Sequence, residues 1–308
     1  MKKTLSRMIS HKWLYVLILP SLIYLIVFCY IPMYGIVIAF KDYNSYQGIA
    51  GSAWAGFKHF RTFFNSPNFS SLLFNTLRLS VVSVCFNMPL PILLALGLNE
   101  TNNKYFKKGA QYIFYAPYFV SNIVLCGMCF SFLSVGTGGM GNGIIVRIFS
   151  VFGVEPKRYM SDGGAFLWIY IISGLWQGVG WWSIMYSGAL ANVDKELHEA
   201  AMIDGAGKFK RVLVVDLPVV KPLAVINLLL NIGQIMNLNF EKVYLLQTAG
   251  NLAQSEIIST YIYRITFESL APQYSLSTAV GLFNTAINVI LLAGANFISK
   301  KLGEESLW

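Results

Sequence analysis

The sequence has little charge for its length. Of its 308 residues only 12% are Asp, Glu, Lys or Arg, whereas soluble domains carry about 25%. Hydrophobic residues make up 56% of the chain, and apolar runs of about 20 residues, long enough to cross a bilayer, recur along it. This composition excludes an ordinary soluble enzyme domain and predicts an all-α integral membrane protein.

Cysteine and histidine are also scarce, with four and three residues respectively. Cys126 and Cys129 form a CxxC pair, but both lie in an apolar segment, where cysteine behaves as a small hydrophobe. Packing is therefore the preferred interpretation over redox or zinc chemistry. His11, His59 and His198 are scattered, and no nucleophile elbow or paired carboxylates occur within a span. We expect no catalytic residues, no metal site and no enzymatic activity.

Nucleotide-binding loops are absent as well. The segment "GTGGMGNG", Gly136 to Gly143, lacks the Lys-Ser/Thr ending of a phosphate loop and is interpreted as a turn. The segment "GAGK" before Phe209 would need Gly at position 202 and Ser or Thr at position 209, but the chain has Met202 and Phe209. The sequence predicts that this chain binds no ATP or other cofactor itself.

Hydropathy predicts six membrane spans and a division into an N-terminal part (1–70), a core (71–299) and a tail (300–308). The first apolar stretch is too long for a signal peptide and lacks a cleavage site, so it is predicted to remain as a span. The predicted spans are Trp13–Phe40, Leu77–Leu98, Tyr112–Leu133, Phe166–Leu190, Pro222–Phe240 and Tyr274–Ile298.

The distribution of charged residues predicts the orientation of the chain in the membrane, and the prolines indicate a cavity between the spans. If the N-terminus is cytoplasmic, the loops on that side hold most of the 23 Lys and Arg residues, as the positive-inside rule requires. Both termini are therefore predicted to be cytoplasmic in the plasma membrane, and the net charge of +9 needs no nucleic acid partner. Prolines within spans break helices where a cavity or a neighbour satisfies the backbone. These prolines are Pro20, Pro32, Pro89, Pro91 and Pro117.

A polar, basic loop, residues 194–218, interrupts the apolar pattern. Asp194 is placed to cap a short helix, and Gly205 is placed to close it in a left-handed conformation. A second helix is predicted from Lys208, ending before Pro218. Two roles remain open at this point: a helix that fills a groove on a partner protein, or a basic loop that lies on anionic headgroups.

The segment "EAAMIDGAGKFKRVLVVDLP" within this loop resembles the EAA loop of permease subunits of ATP-binding-cassette (ABC) importers. Glu199-Ala200-Ala201, Gly205 and Leu217-Pro218 match the family's pattern, and Val215 replaces its isoleucine. The segments "NFEKVYLLQ", "YSLSTAVGLF" and "GEESLW" are similar to the LplB-like polysaccharide and oligosaccharide permeases, which resemble the maltose permeases such as MalF. The resemblance implies the type I ABC importer (MetI-like) fold with six transmembrane helices.

The same resemblance implies partners and a coupling site. The partners would be a second homologous permease, two ATPase subunits that bind ATP and magnesium, an extracellular solute-binding lipoprotein and a carbohydrate substrate, expected to be an oligosaccharide. The EAA loop would dock on an ATPase subunit. The implied coupling residues are Glu199, Ala200, Ala201, Asp204, Gly205, Ala206 and Gly207.

Amides spaced 3–4 residues apart near the fifth span indicate a solute path, because neutral donors and acceptors suit sugar hydroxyls and buried amides need partners. Such amides also join helices, which leaves the role open. The spans hold almost no ionisable residues, which weakens an ion-coupled sugar carrier as the alternative, beside a non-transporting scaffold. The predicted path residues are Asn227, Asn231, Gln234, Asn237, Asn122, Gln177, Asn284, Asn288, Trp176, Trp181 and Tyr118.

Overall fold

A computed structural model describes residues 12–136 and 141–308, most of them helical. The basic residues that precede position 12, including His11, and the centre of the glycine turn predicted at 136–143 lie outside the described residues. The chain divides into two compact units, residues Met1–Ser66 with Tyr263–Phe283 and residues Pro67–Ile262 with Asn284–Trp308. Each unit is described separately.

The first unit contains the N-terminal helix Trp13–Phe40, which is continuous but irregular. It changes from α to π at Leu25–Tyr30 and ends as a 3₁₀ helix over Tyr34–Phe40. Pro32 lies between these two segments, where its missing N–H and its ring disfavour regular α-helical bonding. At 28 residues the helix is about 42 Å long, enough to cross a bilayer, and its apolar side chains are exposed in the isolated chain.

A two-stranded antiparallel ribbon follows, in which Lys41–Asp42 pairs with Ala53–Trp54. Lys58 Nζ lies 2.9 Å from Asp42, and this hydrogen bond lowers the pKa of the Asp42 carboxyl below its usual value. The helical segments of this unit are Lys12–Tyr24, Leu25–Tyr30, Ile31–Met33, Tyr34–Phe40, Gly48–Gly51, Lys58–Phe64 and Arg264–Glu268. Ile258–Tyr263 and Tyr274–Lys301 contribute residues to both units.

The second unit holds the remaining helices and the main core. A buried apolar cluster joins the helix Gly163–Leu190 to the short helix Phe240–Leu246 through Ile171, Val243 and Leu246. Cys126 also packs in this cluster, 3% exposed, which agrees with the packing interpretation. The other helical segments are Phe69–Asn87, Pro89–Asn99, Lys104–Tyr115, Ala116–Phe119, Asn122–Phe132, Ile144–Val151, Tyr159–Ser161, Lys195–Ile203, Lys208–Arg211, Val212–Asp216, Leu217–Gly233 and Leu252–Ser255.

One close helix–helix contact in this unit depends on a glycine. Gly180 lies at the surface of Gly163–Leu190 that faces the helix Lys104–Tyr115, and a Cβ there would collide with the backbone carbonyl of Phe114. Helices approach this closely in membranes where small residues line the contact. The interhelical distance is therefore set by the absence of a side chain at this position.

Four helices of the described chain are long and apolar enough to cross a membrane: Trp13–Phe40, Phe69–Asn99, Lys208–Gly233 and Tyr274–Lys301. A fifth crossing arises if the bent pair Lys104–Phe119 and Asn122–Phe132 counts as one. The 28-residue helix Gly163–Leu190 covers the predicted fourth span and is long enough to cross, but it is rich in Gly, Trp and Tyr and is not among these helices. The membrane-embedded all-α class is confirmed, whereas the count of six spans stays a prediction.

Two predicted spans were wrong in outline. The third, Tyr112–Leu133, is not one straight helix, because its two halves are bent by 100°. Pro117 lies in the 3₁₀ turn before the bend, and Ser121 Oγ accepts from Val124 N to start a new helix. The fifth begins at Lys208 rather than Pro222 and ends at Gly233 rather than Phe240.

Candidate functional site

The EAA helix, Lys195–Ile203, begins as the sequence predicts. Asp194 lies in an extended conformation and its side chain accepts a hydrogen bond from Glu196 N at 3.1 Å. This bond satisfies one of the free N–H groups of the first turn, and the Glu196 carboxylate favours the positive end of the helix. The predicted N-cap at Asp194 is confirmed.

The end of the EAA helix is a Schellman motif. Ala206 N donates to Ala201 O at 2.9 Å and Gly205 N donates to Met202 O at 3.0 Å, which is the pair of bonds that defines this closure. Gly205 has a φ of 78°, in the left-handed region where a side chain is disfavoured. The predicted closure at Gly205 is confirmed, and it turns the chain sharply into "AGKFKR".

The predicted coupling residues lie together on this helix and its closing turn. Glu199, Ala200, Asp204, Gly205 and Gly207 are exposed, and Ala201 and Ala206 are half-buried. Apolar side chains around them are exposed as well, with Ile203 at 87% and Phe209 at 78%. An apolar patch beside small residues on a polar loop is typical of a protein-binding surface rather than a solvated loop.

The second helix of the loop does not end before Pro218, as the sequence suggested. It starts at Lys208, passes through a π-helical segment, Val212–Asp216, and continues as the α-helix Leu217–Gly233. Pro218 stands in the first turn of that α-helical segment, where its lacking N–H is tolerated. The EAA loop is therefore joined to a 26-residue helix without a break.

A cavity of about 770 Å³ lies in the second unit. Seven of the predicted path residues line it, from the helices Gly163–Leu190 and Leu217–Gly233, from the chain after Gly233 and from both sides of the bend in the third span. Most of its polar groups are neutral. The predicted residues that line it are Tyr118, Asn122, Gln177, Asn227, Asn231, Gln234 and Asn237.

The amide stripe is not one helical face, which corrects the sequence interpretation. Asn227 and Asn231 lie on the helix, whereas Gln234 and Asn237 follow its end at Gly233. Asn231 Nδ2 donates to Asn227 O at 2.8 Å and to Asn227 Oδ1 at 3.1 Å, and Asn237 Nδ2 donates to Gln234 Oε1 at 2.9 Å. These bonds stay within the local chain, whereas Asn227 Nδ2 donates to Tyr186 Oη at 2.9 Å and so joins its helix to Gly163–Leu190.

Two other predicted path amides join chain segments. Asn288 Oδ1 accepts from Met236 N at 3.0 Å, and Asn284 Nδ2 donates to Asn237 Oδ1 at 2.8 Å. Both are nearly buried, at 6% and 8% exposure, and neither is among the cavity-lining residues. Their observed contacts are those of helix-joining amides.

Of the predicted aromatic residues, Tyr118 lines the cavity and Trp181 stacks on it, with ring centroids 4.3 Å apart and planes within 4°. Trp176 lines a separate, apolar cavity. Trp182, one position beyond the predicted Trp181, lines the polar cavity. A helix turns by about 100° per residue, so neighbouring tryptophans face different surroundings and the sequence could not choose between them.

Sequence reasoning did not predict several residues that line the cavity, above all the two charged residues Glu241 and Lys242. Glu241 Oε2 accepts from Asn122 Nδ2 at 2.7 Å. Lys242 is 3% exposed, and its ammonium donates to Tyr170 O at 2.9 Å. They were not predicted because they follow the end of the predicted fifth span. A further group of lining residues could have been recognised by its helical spacing of 3 and 4 residues: Ser80, Ser83 and Asn87.

The sequence suggested that His198 is isolated from other metal-binding residue types, but the structure shows that it is not. Its Nε2 lies 3.4 Å from Asp216 Oδ1, and ligand atoms of Glu100, His198 and Asp216 lie within 4.8 Å of one another. Among the described residues this group has the residue types for a metal ion.

The chain is similar to transport proteins over nearly its whole length. Residues 87–304 match the family model described as binding-protein-dependent transport system inner membrane component. Protein LplB of Bacillus subtilis (strain 168) is 40% identical, with 96% of this chain and 91% of that protein covered. The polygalacturonan/rhamnogalacturonan transport system permease protein YteP of the same organism is 42% identical, with 100% and 94% covered.

Solved structures agree with this similarity. A chain of a bacterial ABC transporter involved in the import of the acidic polysaccharide alginate superposes with a TM-score of 0.88 at 32% identity, covering 97% of this chain and 99% of that one. A second structure of the alginate transporter, in complex with an alginate pentasaccharide-bound periplasmic protein, also gives a TM-score of 0.88.

Proposed function

This chain belongs to the family of binding-protein-dependent transport system inner membrane components, and from that premise we propose how its residues work. It is a permease subunit of an ABC importer and not itself an enzyme. We propose that its EAA helix receives the movement of an ATPase subunit and that its amide-lined cavity is the path of an oligosaccharide.

The observation that carries the coupling role is the continuity of the loop with a membrane helix. The exposed small-residue turn at Gly205 leads into Lys208–Gly233 without a break. The cavity residues Asn227 and Asn231 lie on that same helix. A rigid helix transmits displacement along its length, so a force at residues 199–207 reaches the amides of the path.

Neutral amides support a saccharide rather than an ion as the solute. Sugar hydroxyls donate and accept hydrogen bonds, and the amides of Asn231 and Gln177 offer both functions. Tyr118 and Trp182 supply aromatic faces beside them. The similar permease YteP is named for polygalacturonan and rhamnogalacturonan transport, and the structural neighbour serves alginate import, which supports an oligosaccharide.

The partner set is proposed in the same way. A second homologous permease would close the open side of the cavity, and two ATPase subunits, with ATP and magnesium, would dock at the EAA helices of the two permeases. An extracellular solute-binding lipoprotein would deliver the saccharide. The excess of Lys and Arg in the loops on the EAA side supports a cytoplasmic location for both termini.

Reconstitution in proteoliposomes tests the proposal. The chain is co-expressed with a partner permease, ATPase subunits and a binding protein, and uptake of tri-galacturonate, alginate pentasaccharide and maltotriose is measured. We expect uptake of at least one probe that requires ATP and the binding protein. Uptake that ignores ATP but follows a proton or sodium gradient would instead identify a secondary carrier.

A scaffold, the second alternative, predicts a different result. The complex would then purify without ATPase subunits, and adding binding protein with saccharide would leave ATP hydrolysis unchanged. Mutation of Gly205 would also have no effect on any transport rate. Neither alternative accounts for an EAA helix whose apolar side chains remain exposed.

A further inference from the structure

Five side chains meet where the EAA helix approaches the membrane helices. His198 comes from the EAA helix, Arg211 directly precedes the π segment and Asp216 ends it. Asn99 is the last residue of the helix Pro89–Asn99, and Glu100 follows it. We call this group the anchor cluster. Asp216 is its centre, because Oδ1 accepts from Asn99 Nδ2 at 3.3 Å and lies 3.4 Å from His198 Nε2.

Burial makes these contacts obligatory. The Asp216 side chain is 0% exposed, and an ionised carboxylate away from water is costly unless it is paired and hydrogen-bonded. His198 is the half-buried member of a helix whose other side chains, apart from Ala201, are exposed. His198 is thus the polar side chain by which the EAA helix engages the base of the helix Lys208–Gly233.

One donor and one acceptor in the cluster are unused. Asp216 Oδ2 and Arg211 Nε are both buried and have no hydrogen-bond partner within residues 12–136 and 141–308. The guanidinium of Arg211 instead lies 3.6 Å from Glu100. Unsatisfied buried polar groups are rare in native proteins and each needs an explanation.

The segment next to the two unused atoms suggests an explanation. Val212–Asp216 is π-helical, and π-bulges occur frequently at functional sites. Conversion of this turn to α-helix would shift Arg211 relative to Asp216 and let their free atoms pair, at the expense of the contact with Glu100. Two discrete arrangements of one cluster are what energetic coupling between sites requires.

We infer that the anchor cluster is the joint through which the EAA helix moves the helix Lys208–Gly233. His198 holds Asp216, and Arg211 exchanges between Glu100 and Asp216 when the EAA helix is displaced. The inference rests on the proposed importer function and assigns to His198, Arg211 and Asp216 the role of positioning residues. A divalent cation is the competing occupant, but Arg211 already supplies positive charge beside Glu100 and disfavours a second cation there.

The test separates ATP hydrolysis from movement of the cavity. Val84 lines the cavity, so Val84→Cys reports its accessibility to a membrane-impermeant maleimide, with the chain lacking this substitution as background. The complete complex with its ATPase subunits is trapped with ATP and vanadate. We expect His198→Leu to keep bound ATPase subunits and ATP hydrolysis while the ATP-dependent change in labelling falls about tenfold, within the usual range of coupling between sites.

Two further variants distinguish a joint from mere structural support. His198→Gln keeps an N–H donor for Asp216, so we expect it to restore most of the labelling change. His198→Leu combined with Asp216→Leu removes the uncompensated buried charge, so yield and thermal stability should recover while the labelling change stays lost. If the labelling change recovers in the double variant together with yield and thermal stability, the inferred role of the anchor cluster is refuted.

Other outcomes also contradict the inference. An unchanged labelling response in His198→Leu would show that the cluster transmits nothing. Loss of the ATPase subunits from this variant would reduce His198 to support of the docking surface. A labelling response of the unsubstituted cluster that is lost after EDTA treatment, stays lost when ATP and magnesium are returned, and recovers only with added zinc would replace the ion pairs with a metal site. Absence of ATPase subunits from the complex without any cluster substitution would instead refute the proposed function itself.

Discussion

The backbone at Gly205 permits a quantitative test of docking. Its φ of 78° lies in the left-handed region, and a Cβ added there would meet no atom within 4 Å. Gly205→Ala therefore costs backbone strain of about 1–2 kcal/mol without a clash inside the chain. If that strain favours opening of the Schellman turn, the ratio of closed to open turn falls about 5- to 30-fold, and the affinity for the ATPase subunits should fall by up to that factor.

Gly205→Arg has the same strain and adds a long charged side chain on the proposed docking face. We expect it to abolish both ATPase binding and uptake while membrane insertion stays normal. ATPase affinity is measured by biolayer interferometry on the chain in nanodiscs, with uptake measured in parallel. Gly205→Asn, which tolerates the left-handed region better, should be milder than Gly205→Ala.

Gly188→Ala provides the matched control. Gly188 also has open space around its Cβ position, but it lies within a helix and lacks a positive φ, so we expect affinity near that of the unsubstituted chain. Equal affinities for the Ala and Arg variants at position 205 would refute the reasoning, because they would show that no partner surface approaches this residue.

Three further predictions follow from other contacts. Asn231→Leu should impair uptake but not assembly of the complex, because the hydrogen bonds of Asn231 stay on its own helix. Asn288→Leu should instead lower the yield, and the stability by about 1–3 kcal/mol, because it leaves the buried N–H of Met236 unpaired. Uptake and thermal shift in detergent distinguish the two variants, and loss of assembly in Asn231→Leu would show that Asn231 joins helices. Gly180→Ala should prevent close packing of its helix, seen as loss of the monodisperse peak in size exclusion; normal elution would contradict the packing. Asp162→Ala should lower the melting temperature more than Asp162→Asn, by loss of a cap of about 1 kcal/mol. The hydrogen bond from Lys157 lowers the pKa of the Asp162 carboxyl. The stabilisation by ionised Asp162 is therefore fully present above the ordinary carboxyl pKa and is lost as the pH falls through the lowered pKa. A melting temperature of the unsubstituted chain that rises as Asp162 is protonated would contradict this prediction.

The cap and the closure of the EAA helix were predictable because they are local. Asp194 and Gly205 act through hydrogen bonds and dihedral angles within a few residues of themselves, and residue type alone indicates both roles. The family pattern then identified the loop. The same local reasoning failed at Pro218, because a π turn before the proline changed the helix geometry and no residue pattern announces such a turn.

The path residues show a different limit. Spacing alone put four amides on one stripe, but the helix ends at Gly233, and the last two reach the cavity from irregular chain. Asn288 has the same residue type as Asn231 and a different task, since one is exposed and the other buried against a backbone N–H. Side-chain chemistry indicated which residues need partners, not which partners they find.

The sequence by itself determined the membrane class, the family and the EAA helix with both of its ends. These features depend on composition and on interactions between near neighbours in the chain. Only the tertiary structure decided that His198 meets Asp216 and Glu100 and that Glu241 and Lys242 enter the cavity. Each of these depends on contacts between residues far apart in sequence, and their partners are chosen by packing and burial.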